Sequence, residues 1–230
     1  MLAHKNNLAS PAHRVNFRHR LSATSSAELP TVPAMAASII TLQILLAEYV
    51  ADLEAITQVI RADVGLTVHL LRSASLRPGL LSEKPMELSH VVVDLGRERL
   101  KKIVAAMPLL GYEPQLGVNL EGCGSFWLRA RQTARTAEQV ASQVFPELAQ
   151  TAYLAGLLHH LGELPALLGW SIPGLDSSSP REIGCRMAQS WGLPELLVDV
   201  IGGDEQACRS RESQWLLRLI NAAEPAVLHG

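Results

Sequence analysis

The chain has 230 residues, 48% of them hydrophobic, enough to bury a sizeable core in one large domain or two small ones. Only 4% are aromatic, while leucine and alanine dominate, a balance that favours helix over sheet. A net charge of −2 argues against nucleic-acid binding as the main task, and Glu48 and Asp52 interrupt the most apolar stretch before it could span a membrane.

The first 27 residues hold Lys5, Arg14, Arg18, Arg20, three histidines and no acid, so against a total of −2 the rest of the chain carries −6. Their composition resembles a transit peptide, but sparse apolar content favours a flexible basic arm over residues 1–28. Prolines 30 and 33 then predict an extended lead-in at residues 29–33, because each disfavours helix in the residue before it. A helix is expected from about residue 34 to 47. Asp52 can cap the next, with Leu53, Ile56, Val59 and Ile60 on one face, and Asp63 a third holding Leu66, Leu70 and Leu71. Leu88, Val91, Val92 and Leu95 give a fourth that stops at Gly96, and Leu100, Ile103, Val104 and Met107 a fifth.

Residues 111–117 and the glycines at 122 and 124 break the periodicity and mark a junction. Helical subdomains are therefore expected over residues 29–115 and 116–230. In the second, a long helix should run from 126 to 144, with Ala130, Ala134, Ala137 and Ala141 letting the helix at 147–160 approach closely. Ser179-Pro180-Arg181-Glu182 is a capping box that starts a helix ended by Gly192, and helices near 194–201 and 212–223 complete an all-α chain.

Few residues offer chemistry. Cys123, Cys185 and Cys208 are widely spaced and lack a C-x-x-C pattern, which fits a reducing cytoplasm rather than a disulfide framework or zinc site. No phosphate-binding glycine loop or nucleophile elbow occurs. Arg97, Arg99, Lys101 and Lys102 read as the wet face of the fifth helix, His69 as structural, and tryptophans 127, 170, 191 and 215 as core. The adjacent pair His159-His160, at the end of the apolar run Leu154-Ala155-Gly156-Leu157-Leu158, stands out. Two such histidines can serve as metal ligands, or simply pack one at a helix end and leave the other at the surface.

Leu29-Pro30-Thr31-Val32-Pro33, the run from Ile60 to Ser75, Asp94-Leu95-Gly96-Arg97-Glu98-Arg99-Leu100, Phe126-Trp127, the helix ending at His159 and Trp191-Gly192-Leu193-Pro194 recur in an order and spacing that resemble the HDOD family. The resemblance covers about residues 29–225. It implies a helical bundle packed on a second that looks like a degenerate HD domain. In hydrolytic HD domains a histidine, a His-Asp pair and a last aspartate hold metal; the matching positions here are Arg129, His159-His160 and Asn221. A guanidinium has no lone pair for a metal, and an amide is a weaker ligand than a carboxylate. The resemblance thus implies a vestigial site or ligand pocket at Arg129, His159, His160, Glu163 and Asn221, with no catalytic residue, metal or cofactor. Arg129 should pair with a carboxylate such as Glu163 or point to solvent, and an anion is favoured over a cation. The implied role is a non-catalytic signalling or regulatory module of a bacterial cytoplasm, acting through a protein partner or small anionic ligand. Its input is expected in trans, since no receiver fits beyond the arm. The alternative is a metal-dependent phosphohydrolase or phosphodiesterase of the HD superfamily; a nucleic-acid or anion binder acting through the basic arm is a third reading.

Overall fold

The computed structural model describes residues 29–50, 52–76, 87–111, 117–175 and 177–228. The arm expected at 1–28 and most of the junction at 111–117 lie outside them. The described residues are helical, with no strand beyond one isolated bridge.

Five helices form the first half: α1 (Ala36–Ala47), α2 (Leu53–Arg61), α3 (Val64–Ser75), α4 (Leu88–Leu95) and α5 (Arg97–Ala106). Asp52 caps α2 through the Ala55 amide, and Asp63 caps α3 through the Leu66 amide at 3.1 Å. The first helix starts two residues later than expected because Ala34 is used otherwise. Its amide donates to Pro108 O and its carbonyl accepts from Leu110 N, both at 2.9 Å, which staples the lead-in to the segment after α5. The lead-in also presses on the start of α3, where a Cβ on Gly65 would lie 2.2 Å from Pro33 O. Asp63 completes this joint by accepting the Met35 amide at 2.8 Å.

The second half contains α6 (Leu120–Val144), α7 (Ala149–Leu158), α8 (Leu164–Leu168), α9 (Pro180–Ser190), α10 (Glu195–Gly202) and α11 (Arg211–Leu228). Two findings differ from the sequence expectation. Gly122 and Gly124 lie inside α6, since Asn119 caps the helix by accepting the Gly122 amide at 2.9 Å. Gly122 is there for closeness, because a Cβ would meet the Asn119 side chain and Leu167 Cδ2, both at 2.7 Å. The second helix is also shorter than residues 147–160. Single 3₁₀ turns, Pro146–Leu148 and Leu161–Glu163, flank α7, and the added α8 follows the second.

Buried apolar side chains from α1 to α11 form one contiguous cluster through both halves. A polar joint crosses the same boundary. Arg61 of α2 stacks its guanidinium 3.9 Å from the Tyr153 ring centroid and pairs with Glu138 of α6 at 2.7 Å. The Tyr153 hydroxyl donates to Arg61 O at 2.8 Å. Tyr153→Phe keeps the stacking and deletes only that buried hydrogen bond, so it should lower unfolding free energy by about 1 kcal/mol. Urea denaturation of the two proteins checks this, and an unchanged midpoint would mean the carbonyl finds another donor.

Candidate functional site around His159 and His160

Small side chains put the end of α7 where it is. Ala130, Ala134, Ala137 and Ala141 of α6 are buried, and a Cβ on Gly156 would lie 2.8 Å from Ala134 Cα, so the two backbones touch. The helix stops at Leu158, placing His159 and His160 in a turn, and the 3₁₀ turn beyond them brings Glu163 back over the pair, its amide donating to His160 O at 2.9 Å. The last helix, α11, packs against α6 and α7 and adds Glu224.

Within this frame the imidazoles are stacked, centroids 3.7 Å apart and tilted by 44°. His159 Nδ1 lies 2.8 Å from Gly156 O, a contact in which the nitrogen must donate because a carbonyl only accepts. Nε2 of that ring is then left with a lone pair, sealed from solvent and without a partner among the described residues. Burial, and secondarily the neighbouring His160, lower the pKa of His159 to about 4, so it is neutral at physiological pH. His160 faces two acids, Nδ1 lying 3.0 Å from Glu163 Oε1 and Nε2 2.6 Å from Glu224 Oε1. Glu163 also pairs with Arg129 Nη2 through its other oxygen, Oε2. The hydrogen bond from His160 holds the Glu163 carboxyl below its usual pKa against the opposing effect of burial, with Arg129 adding to the first. Polar contacts therefore run from Arg129 through Glu163 and His160 to Glu224.

The structure brings Arg129, His159, His160 and Glu163 together and leaves Asn221 exposed. The α11 residue that meets the histidines is Glu224, one helical turn beyond Asn221. Sequence reading missed it. Its signal was the i, i+3 spacing from Asn221, and only the docking of α11 decides between the two positions. The ligand set that the resemblance implies is not assembled among the described residues, since a guanidinium at Arg129 has no lone pair to give and Asn221 is exposed. Elsewhere, Arg97 donates to the Leu46 carbonyl at 2.7 and 2.9 Å, and Lys101 pairs with Glu98 at 3.0 Å, so the expected wet face is partly tied down. Trp127 and Trp191 are buried, whereas Trp170 and Trp215 are packed against the core only in part.

The HDOD domain model matches residues 29–169. A search of curated proteins finds no match. Among solved structures, the MmoQ response regulator from Methylococcus capsulatus str. Bath is similar at 16% identity, with 86% of this chain and 87% of that one covered and a TM-score of 0.67. A 20–298 fragment of the same regulator gives 17% identity, coverage of 86% and 84%, and a TM-score of 0.64. At such identity the likeness shows a shared fold.

Proposed function

Because the chain belongs to the HDOD family, we propose that it is a non-catalytic signal-transduction or regulatory module of a bacterial cytoplasm, working through contact with a protein partner or a small anionic ligand. The observation that carries this reading is Arg129. It stands where hydrolytic HD domains place their first metal ligand, and its guanidinium is engaged with Glu163. A cation-activated water needs an anionic or neutral donor there, and a fixed positive charge opposes it. The likeness to a response regulator supports a signalling context. Arg129 Nε, buried and without a partner among the described residues, is a donor that a small anion could use. No described helix is long and apolar enough to cross a membrane, and the net charge of −2 disfavours nucleic acid as the partner.

A second reading, a metal-dependent phosphohydrolase or phosphodiesterase, draws on the unpartnered His159 Nε2. The two separate by turnover. Phosphodiester and nucleotide substrates offered with added manganese or iron should be hydrolysed no faster by the wild-type chain than by His159→Ala. Multiple turnover that disappears in His159→Ala would replace the regulatory reading with the hydrolase one.

A further inference from the structure

His159, His160 and Glu224 come from two segments far apart in the chain, yet one ligand atom from each lies within 4.8 Å of the others. We infer that this chain has a divalent transition-metal site of its own, formed by His159 Nε2, His160 Nε2 and Glu224, which ties the turn after α7 to the last helix. It differs from the HD set in having an imidazole where the pair's carboxylate would stand, in using Glu224, and in dispensing with the positions of Arg129 and Asn221.

Orientation of the rings is the first argument. A metal-binding histidine is held by a hydrogen bond from its other nitrogen to a carbonyl or carboxylate, which fixes the tautomer and aims the lone pair. Both rings are held in this way, His159 Nδ1 by Gly156 O at 2.8 Å and His160 Nδ1 by Glu163 Oε1 at 3.0 Å. Each Nε2 is thereby the coordinating atom: that of His159 has no partner among the described residues, and that of His160 faces Glu224 Oε1 at 2.6 Å, where a metal would take the place of the shared proton. The second argument is the sealed and unpartnered His159 Nε2. A buried acceptor without a donor is destabilising, and a cation satisfies it.

Charge placement is the third argument. Glu224 supplies the anion that offsets a cation, its Oε1 already 2.6 Å from His160 Nε2. Among the described residues Arg129 pairs with Glu163 Oε2, while His160 holds Oε1 of the same carboxylate, so an anion stands between the guanidinium and the His160 imidazole. Two imidazoles and one carboxylate suit zinc, cobalt, nickel or ferrous iron better than magnesium or calcium, which prefer oxygen alone. Ligands about 2.0 to 2.2 Å from a zinc ion need the Glu224–His160 contact to open slightly, a change that side-chain rotation can provide. The competing account is a proton in the place of the metal. Carboxylates accept only, so His160 donating from both nitrogens would clasp Glu163 and Glu224 without any ion.

The test uses the full chain, stripped by a chelator and dialysed, with His4, His13 and His19 changed to Gln to remove competing imidazoles. Zinc and cobalt are then titrated in, read by bound-metal analysis, melting temperature and the visible absorption of cobalt. One ion per chain, a raised melting temperature and cobalt absorption are expected. Glu224→Gln, with unchanged circular dichroism, should weaken the affinity on the order of tenfold to a hundredfold, and His159→Gln should abolish it. An unchanged melting temperature with no bound ion, or equal binding by Glu224→Gln, would overturn the site and leave the proton clasp. Hydrolytic turnover bears on the regulatory reading and metal retention on this one, so each can fail without the other.

Discussion

Gly162→Ala should be among the most damaging single substitutions in this chain, lowering unfolding stability by about 3 to 4 kcal/mol or leaving no folded protein to purify. Gly162 lies in the 3₁₀ turn between His160 and Glu163, where that turn meets the start of α9. A Cβ there would sit 1.6 Å from Pro180 O, 2.6 Å from Pro180 C and 2.7 Å from Gly184 N. All three atoms belong to backbone, so no rotamer change relieves the overlap and α9 would have to move away. Gly184 answers from the other side, its own Cβ position lying 2.9 Å from Gly162 N. Moving the turn would also carry Glu163 away from His160 and Arg129. Gly124→Ala is the control. That glycine is exposed in α6 with nothing within 4 Å of its Cβ position, and the better helix former should raise stability by up to about 1 kcal/mol. Urea denaturation of both variants reads the contrast, and a loss below about 1 kcal/mol in Gly162→Ala would show that the turn and α9 are not packed as described.

Such contacts explain which parts of the molecule were legible in sequence. The caps at Asp52, Asp63 and Ser179 and the apolar faces of α3 to α5 are local patterns of three to eight residues, and the structure contains them. Of the face expected on α2, Ile56 and Ile60 are buried, whereas Leu53, at the helix start, is exposed. Gly122 misled because glycine disfavours helix in isolation, whereas here Asn119 caps the helix around it and Leu167 of a distant segment needs the space. For α8 the run Leu164-Pro165-Ala166-Leu167-Leu168 is too short to show periodicity, and its helix depends on following a 3₁₀ turn. Within the candidate site, His159, His160 and Glu163 are neighbours in sequence, and Arg129 was found only through the family pattern. For Glu224 the i, i+3 spacing from Asn221 was not enough to choose it, because the contact with His160 spans 64 residues and depends on how α11 rotates against α6 and α7.

Asp63→Ala is expected to cost about 3 kcal/mol, and the reason lies in what a fully buried carboxylate does here. The side chain is 0% exposed and accepts two amides from different segments, Leu66 N in its own helix and Met35 N at the start of α1. Loss of an N-cap costs about 1 kcal/mol, and a second buried amide left without an acceptor adds about 1 to 3. Asp63→Asn keeps one oxygen and turns an amide group toward the other donor, so it should fall between wild type and alanine. Acid separates charge from hydrogen bonding. Burial raises the pKa of this carboxyl above its ordinary 3.8 and outweighs the hydrogen bonds that lower it, the Met35 and Leu66 amides foremost. As pH falls, the folded state therefore takes up this proton before the unfolded state does. Protonation of Asp63 thus favours the fold, through a window that opens at its raised pKa and closes below 3.8. The carboxylates elsewhere titrate in both proteins, so the stability of wild type minus that of Asp63→Asn isolates this group. That difference should grow in favour of wild type on acidification, and a shrinking difference would show that the hydrogen bonds, rather than burial, set the ionisation of Asp63.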